Sequence, residues 1–382
     1  MGAGRAERPA VLRSLTLARR QRSTRPQTLI LFITSRCNAR CSFCLYKESV
    51  SDPVRKSEEM SVDEYGRLAR AYGPLHYLAL SGGEPFVRRD VDLICQQFID
   101  ECGAAVVDIP SNFSYGDTMV ATVERLAAAN PGVVVDLQMS IDHLGEAHDR
   151  SREVTGLYER AIASFDRLEE LRRALPNVRL KVNVVWLPEN RDELEAIHGE
   201  LRARLAYDRI SVTYPHRRLP ASGDPSIAGD FAAFSEASRA WSGDRGRGGG
   251  GLHDLGMRAA KRTHTGVLAD AVSGRVSMGE RCEAGRHILV VDEKAEVFPC
   301  EVLWEPIGNL RTTGFDLDAI LDGDLYASFR ERRLGPGRCS CTWSCAALTA
   351  VSVTPRLLGR LAVDGARTSG SDLRRVAERR WR

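Results

Sequence analysis

The chain has 382 residues, of which 43% are hydrophobic and 27% are charged, and its formal net charge is +3 at pH 7. That charge is too small to indicate nucleic-acid binding by itself, and no 18-residue apolar stretch exists that would predict a transmembrane helix. The N-terminus lacks the apolar core of a secretory signal. The ten cysteines therefore indicate metal or redox chemistry in a cytoplasmic protein, and not a disulfide framework.

Apolar runs of strand length alternate with amphipathic helical stretches from residue 28 to about residue 215. The predicted strands are 28–34, 76–80, 105–110, 133–141, 179–186 and 209–214. The predicted helices are 61–72, 89–102, 116–129, 155–174 and 191–205, the first of which begins at a capping box of Ser61 and Glu64. Strands that alternate with helices indicate βαβ units and a parallel sheet, so the predicted fold class is α/β.

The remaining segments have a different composition. Residues 216–278 are rich in turn-forming residues, most of all Gly246–Gly251, and we interpret them as a linker or insertion, with a lid over a substrate as the alternative. A hairpin over 287–299 and a helix near 317–332 are predicted after it. The arginine-rich ends, residues 1–26 and 351–382, are predicted to be flexible tails.

Three cysteines follow the first predicted strand in the spacing C-x3-C-x2-C: Cys37, Cys41 and Cys44. A four-iron cubane needs one thiolate per iron, so three thiolates leave one iron open to an outside ligand. The alternative is a zinc site, which needs a fourth ligand nearby. Lys47 and Glu48 are poor candidates for that ligand, and no histidine lies within thirty residues.

A second group of cysteines lies in the last third of the chain: Cys282, Cys300, Cys339, Cys341 and Cys345. Five cysteines suffice for one fully ligated four-iron cluster with one to spare, and not for two. Which of the last three is the spare one stays open, and a zinc ribbon is the alternative. Cys95 and Cys102 share an apolar helical stripe with Phe98, so we expect them to be buried packing residues.

The second predicted strand is followed directly by Gly82-Gly83-Glu84-Pro85. Two adjacent glycines let the backbone approach a ligand closely, and Glu84 can accept a hydrogen bond from a cation or a hydroxyl. On its own this is an ordinary turn composition.

Together, the cysteine triplet, the aromatic Phe43 just before its third cysteine, and the Gly-Gly-Glu-Pro turn one βα unit later resemble the radical S-adenosylmethionine (SAM) superfamily. The resemblance implies a partial (β/α)6 barrel with a [4Fe–4S] cluster on Cys37, Cys41 and Cys44. In that family SAM chelates the open iron and is cleaved reductively to a 5′-deoxyadenosyl radical.

The resemblance also implies a set of SAM-binding residues. Gly82–Pro85 match the motif that binds the methionyl amino group, and Arg152 matches an arginine that holds the SAM carboxylate, with a surface arginine at a helix start as the alternative. Asp142 is assigned to a ribose hydroxyl or to a turn cap. Asn183 is a weaker candidate, because a buried asparagine can simply satisfy backbone groups. The full set is Phe43, Gly82, Gly83, Glu84, Pro85, Asn112, Ser140, Asp142 and Arg152.

The C-terminal hairpin, helix and cysteines resemble the twitch or SPASM extensions of the same superfamily, which hold auxiliary [4Fe–4S] clusters. This divides the chain into a core domain over 27–215, the linker over 216–278 and an auxiliary cluster domain over 279–350.

The resemblance implies hydrogen abstraction from a small molecule such as a sugar, an aminocyclitol or a nucleoside, with net oxidation and an electron donor such as flavodoxin or ferredoxin. The first alternative is a SPASM-type maturase that modifies a peptide or protein. Only about 27 residues precede the first strand, too few for a leader-binding module, which favours the small molecule. The remote alternative is a non-catalytic zinc protein that binds nucleic acid.

Overall fold

A parallel sheet forms the centre of this computed structural model, which describes residues 25–354 except 221, 243 and 245–251, and also residues 356, 357 and 359. Neighbouring strands among the first six are all parallel. These strands are β1 (Thr28–Phe32), β2 (Tyr77–Ser81), β3 (Val106–Ser111), β4 (Val134–Ser140), β5 (Val178–Val185) and β6 (Arg209–Thr213). Each falls on a predicted strand.

Helices connect these strands and cover one face of the sheet. They are α1 (Lys47–Ser51), α2 (Val62–Tyr72), α3 (Val91–Cys102), α4 (Gly116–Ala129), α5 (Gly145–Arg152), α6 (Leu157–Ala174) and α7 (Leu194–Arg204). The five predicted helices are confirmed, and the short α1 and α5 are additions. At the start of α2, the Ser61 side chain accepts from the Glu64 backbone N–H, and the Glu64 carboxylate accepts from the Ser61 N–H, which completes the capping box.

Two longer helices follow where the sequence predicted a linker. After the short strand β7 (Arg218–Leu219) come α8 (Ala228–Trp241) and α9 (Leu252–Val272). Phe231 and Phe234 on α8 are buried against Tyr214, which explains why this stretch packs as a helix. Gly246–Gly251 lies outside the described residues, so its assignment as a linker or lid stays a prediction.

The predicted hairpin is present, and it joins the main sheet. It consists of β8 (Ile288–Val291) and β9 (Glu296–Phe298), followed by β10 (Gly308–Asn309). β8 pairs in parallel with β1, so the sheet order is β10-β9-β8-β1-β2-β3-β4-β5-β6. This α/β architecture confirms the predicted fold class.

Four short elements follow β10. They are α10 (Leu317–Leu321), α11 (Asp324–Arg333), β11 (Ser340–Cys341) and α12 (Ser344–Val353). β11 pairs with β7, and the Thr342 backbone N–H donates to the Arg217 carbonyl at 3.0 Å. The C-terminal cysteines are thereby fixed beside the end of β6.

The two faces of the sheet differ in polarity. On β5, Leu180, Val182 and Val184 are fully buried, whereas Lys181 and Asn183 between them are partly exposed. The alternation follows from the two-residue period of a strand. One face is therefore an apolar core, and the other is a polar face that water reaches.

Two further observations concern sequence predictions. Cys95 and Cys102 are 0% and 6% exposed, which confirms that they are packing residues. Within the described ranges, every helix is too short or too polar to cross a bilayer.

Candidate active site

The three N-terminal cysteines share one loop between β1 and α1, at the C-terminal edge of the sheet. All three are half-buried. Burial raises the pKa of Cys37 to about 11, and the neighbouring thiols of Cys41 and Cys44 add to this rise. The structure therefore brings the three predicted ligands into one electrostatically coupled group. Thiols of such high pKa become thiolates when a metal binds, because the metal displaces the proton.

The Gly-Gly-Glu-Pro turn packs directly on the beginning of the cysteine loop. The Gly83 N–H donates to the Thr34 carbonyl at 2.7 Å, and the Glu84 N–H donates to the Arg36 carbonyl at 3.0 Å. A Cβ atom added to Gly83 would lie 2.1 Å from the Arg36 carbonyl oxygen, and one added to Gly82 would lie 2.3 Å from that of Thr34. Both glycines are thus required by the close approach of two loops.

Replacing Gly83 by alanine should separate these two loops. The added Cβ meets backbone, which cannot rotate away, so we expect the free energy of unfolding to fall by roughly 1–3 kcal/mol. Urea denaturation of the anaerobic protein measures this, with Gly132→Ala as the matched control because a Cβ there meets nothing within 4 Å. Equal stability of the two variants would contradict the close packing.

Glu84 connects the turn to the end of β3. Its buried carboxylate accepts from the Ser111 hydroxyl at 2.8 Å, from the Asn112 backbone N–H at 2.8 Å and from the Phe86 N–H at 3.2 Å. Burial raises the pKa of Glu84, and these hydrogen bonds oppose the rise. The carboxylate is therefore held in one orientation.

Asn112 in turn contacts the cysteine loop. Its side-chain amide donates to the Asn38 side-chain oxygen at 2.9 Å, and Asn38 donates to the Ser114 hydroxyl at 3.0 Å. Asn38 lies between Cys37 and Cys41, so the ends of β1, β2 and β3 form one network. Sequence analysis missed Asn38, because no local pattern distinguishes it.

Arg152 lies on the other side of the cysteine loop. It is 6% exposed and ends α5, so the alternative of a surface arginine at a helix start is wrong. Its guanidinium donates to one Asp142 carboxylate oxygen at 2.6 and 3.1 Å, and its Cζ lies 5.8 Å from the centre of the Phe43 ring. Burial acts to lower the pKa of Arg152, but the Asp142 carboxylate raises it above its ordinary value.

Backbone hydrogen bonds join the Arg152–Asp142 pair to the cysteine loop and to the end of β5. The Arg152 carbonyl accepts from the Arg40 N–H at 3.0 Å, and the second Asp142 oxygen accepts from the Val185 N–H at 2.9 Å. Its electrostatic effect reaches Cys41 and Cys44, where Arg152 acts to lower the thiol pKa against the effect of burial. Ser140 lies nearby, half-buried at the end of β4. The structure thus brings Gly83, Glu84, Asn112 and Arg152 into contact with the cysteine loop.

Four of the five C-terminal cysteines line one cavity: Cys282, Cys300, Cys339 and Cys341. Much of the remaining lining is apolar and includes Phe329 and Trp343. Burial raises the pKa of Cys282, and Cys300 and Cys339 raise it further. The arrangement brings together donors from three separate segments of the chain.

Cys345 is the cysteine that stands apart from this group. It does not line the cavity, and the acids that act on its pKa, after burial, are Glu301 and Asp108. Asp108 lies on the polar face of the sheet. Among Cys339, Cys341 and Cys345, Cys345 is thus the one outside the cavity, and we propose it as the spare cysteine.

Two arginines, Arg218 and Arg333, also line the cavity. Both act to lower the pKa of Cys339, against the effect of burial. Cations beside a group of thiols favour their charged form, and a cluster with four thiolates is an anion. The donor set and its surroundings fit a four-thiolate cluster.

Among the described residues, no three His, Cys, Asp or Glu side chains converge closely enough to hold a single metal ion. Each thiolate of a cubane binds a different iron, so cubane ligands stand farther apart than the ligands of one zinc ion.

An aromatic contact links the two cysteine groups, and the sequence did not predict it. The Tyr46 ring, two residues after Cys44, stacks on Trp304 with ring centres 5.1 Å apart, and Phe32 contacts both. The Tyr46 hydroxyl donates to the buried Glu293 carboxylate at 2.8 Å. The C-terminal hairpin therefore supports the cysteine loop directly.

Residues 31–201 match the model of the radical SAM superfamily. The chain contains a radical SAM domain. This domain spans β1 to α7 and includes the cysteine loop, the Gly-Gly-Glu-Pro turn and Arg152. The resemblance that the sequence motifs carried is confirmed for this part of the chain.

The chain is also similar to curated proteins over part of its length. The chain is 34% identical to GTP 3′,8-cyclase of Staphylococcus aureus strain JH9 over 89 residues, which are 22% of this chain and 26% of that protein. The same figures hold for the protein from strain Newman. The chain thus spans about a quarter of the length of the curated relatives that it matches.

Solved structures share the fold over most of the chain. Streptococcus suis SuiB bound to S-adenosylmethionine has a TM-score of 0.55 at 15% identity, covering 83% of this chain and 71% of SuiB. Native anSMEcpe with bound AdoMet has a TM-score of 0.56 at 16% identity, covering 88% of this chain and 99% of anSMEcpe. At such identities the likeness concerns the fold alone.

Proposed function

We propose that this chain is a radical SAM enzyme that removes a hydrogen atom from a small polar molecule and oxidises it. One observation carries the proposal: the cysteine loop, the Gly-Gly-Glu-Pro turn and the Arg152–Asp142 pair meet at the C-terminal edge of the sheet. In parallel α/β folds, this edge is where ligands bind.

Cys37, Cys41 and Cys44 would hold three irons of a [4Fe–4S] cluster and leave the fourth for SAM. When bound, this pair of cofactors supplies one electron that cleaves SAM to methionine and a 5′-deoxyadenosyl radical. The residues around them have positioning roles. Phe43 and Arg152 cover the loop on one side, and Asn112, through Asn38, fixes it on the other.

SAM itself would lie along the ends of β2 to β4. Gly82, Gly83 and Pro85 shape the turn, and the Glu84 carboxylate lies beside it in a fixed orientation as the acceptor for the methionyl amino group. Ser140, at the end of β4, and Arg152 are assigned to the carboxylate and ribose of SAM. Arg152 already binds Asp142 with two of its nitrogens, so Asp142 orients the arginine.

The four cysteines of the C-terminal cavity would hold an auxiliary [4Fe–4S] cluster. With all four irons bound by protein, it has no position for a substrate, so we assign it to accepting an electron from the substrate. The positive Arg218 and Arg333 support this role, because a nearby cation favours the reduced, more negative form. A protein such as flavodoxin or ferredoxin would supply the first electron.

A small substrate such as a sugar, an aminocyclitol or a nucleoside fits the polar face of the sheet, whose side chains offer hydrogen bonds. The second candidate is a peptide. The structure of Streptococcus suis SuiB bound to the precursor peptide SuiA shares the fold of this chain, with a TM-score of 0.55. Both candidate substrates would use the same cysteine loop. They differ in whether a small molecule or a peptide binds at the polar face.

The test is SAM cleavage by the anaerobically purified chain with iron and sulfide restored. With dithionite as reductant, we expect 5′-deoxyadenosine in chromatographic analysis, together with about eight irons and eight sulfides per chain. Zinc in place of iron after this treatment, with no 5′-deoxyadenosine, would instead support the zinc protein and overturn the proposal.

A further inference from the structure

A row of polar side chains runs from the ends of the central strands to the C-terminal cysteines. It starts at Ser140 on β4, whose register partner on β5 is Asn183. It ends at His216, whose Nδ1 lies 3.3 Å from the carboxylate of Glu301, the residue after Cys300. We call this row the polar strip, and its members are Ser140, Asn183, Ser211, Thr213, His216 and Glu301.

Asn183 has a fixed orientation within the polar strip. Its side-chain oxygen accepts from the Ser211 hydroxyl at 2.9 Å and from the Thr213 hydroxyl at 2.6 Å. Because both hydroxyls approach the oxygen, the NH2 group must point away from them. No hydrogen bond from this NH2 group is found within the described part of the chain.

This geometry differs from that of an asparagine that satisfies backbone groups, the role that sequence analysis weighed for Asn183. Asn177 has that role instead, since its amide donates to three carbonyls. The Asn183 amide is held by side chains alone and is partly exposed on the polar face. The fixed amide presents both of its donors to the polar face, where a ligand with oxygen acceptors can take them in place of water.

The position of the polar strip indicates which ligand this is. One end is Ser140, two residues before Asp142, whose partner Arg152 contacts the cysteine loop, and the other end is Glu301, next to Cys300 in the C-terminal cavity. His216 Nε2 is buried and has no hydrogen-bond partner among the described residues, so a second polar atom on the strip lacks a protein contact. A molecule on the strip would therefore lie between the two cysteine groups. A substrate needs this position if it is to give a hydrogen atom to the radical and an electron to the auxiliary cluster.

We propose that Asn183, held by Ser211 and Thr213, binds the substrate by donating hydrogen bonds to a hydroxyl or carbonyl oxygen. The substrate class is a hydroxylated small molecule. This inference rests on the proposed function, whose own failure would appear as an absence of 5′-deoxyadenosine from the wild-type chain without any probe present.

Calorimetric titration of the SAM-loaded, iron-reconstituted chain without reductant tests this assignment. The probes are myo-inositol, 2-deoxystreptamine and guanosine, all of which present hydroxyl groups. We expect at least one to bind the wild type. Asn183→Asp, which replaces the donors by an acceptor of the same shape, should weaken that binding at least about tenfold. The affinity for SAM should stay unchanged.

Two further variants separate this role from a structural one. Thr213→Val keeps the volume and frees the amide to rotate, so it should give a smaller loss in the same direction. Asn309→Asp adds the same charge on β10, the far edge strand, and should bind the probe like the wild type. Three results would each overturn the inference: no probe binding to the wild type, unchanged probe binding in Asn183→Asp, or a loss of SAM affinity in that variant.

Discussion

Replacing Cys41 by alanine should abolish SAM cleavage. The variant leaves the proposed cluster with two protein ligands on a loop that otherwise keeps its contacts with Asn112 and Arg152. We expect 5′-deoxyadenosine to fall to the level formed without protein, and the iron content to fall from about eight to about four per chain. Chromatography of the reaction and iron analysis of the same sample measure both quantities.

A control for this variant is Cys102→Ala. Cys102 is a buried packing residue whose thiol donates to the Ala69 carbonyl, and it belongs to neither cysteine group. This variant should lose some stability through its small cavity but keep its iron and its SAM cleavage. Normal 5′-deoxyadenosine formation by Cys41→Ala would remove the cysteine loop from the mechanism.

The second large effect concerns the C-terminal cysteines, among which Cys345 alone lies outside the cavity. Cys300→Ala should lose about four irons, because Cys300 lines the cavity with three other cysteines. SAM cleavage should remain detectable, since the first cysteine loop is intact, while product formation from the substrate should fall to background.

Cys345→Ala is the matched variant for this experiment. Because Cys345 lies outside the cavity, the variant should keep about eight irons and the electron paramagnetic resonance signals of both reduced clusters. Loss of four irons from Cys345→Ala would make Cys345 a ligand and contradict its assignment as the spare cysteine. Full product formation by Cys300→Ala would contradict the electron-accepting role.

The central strands and helices could be predicted because their apolar periodicity is strong. The helix predicted over 116–129 has those bounds in the structure. By contrast, α8 and α9 were missed because Pro220, Gly223 and the following glycine-rich run indicate turns. α8 is stabilised by packing on Tyr214, and α9 by packing on α8 and α12, and sequence composition does not show such contacts.

The motifs of the candidate site were visible in the sequence because each is local. Their mutual contacts were not. The burial of Arg152 depends on Asp142, and the stacking of Tyr46 on Trp304 joins residues 258 positions apart. Likewise, the spacing of Cys339, Cys341 and Cys345 does not reveal that the third lies outside the cavity that the first two line.

The pairing of β8 with β1 has a consequence for how the chain can be divided. β1 carries the cysteine loop at its end, and β8 leads through the hairpin to Cys300. Removal of the last third would leave β1 as an edge strand with unpaired backbone groups, and such edges promote aggregation. The C-terminal third is therefore part of the sheet that supports the N-terminal cysteine loop, and we expect that it cannot be removed or replaced as a separate domain.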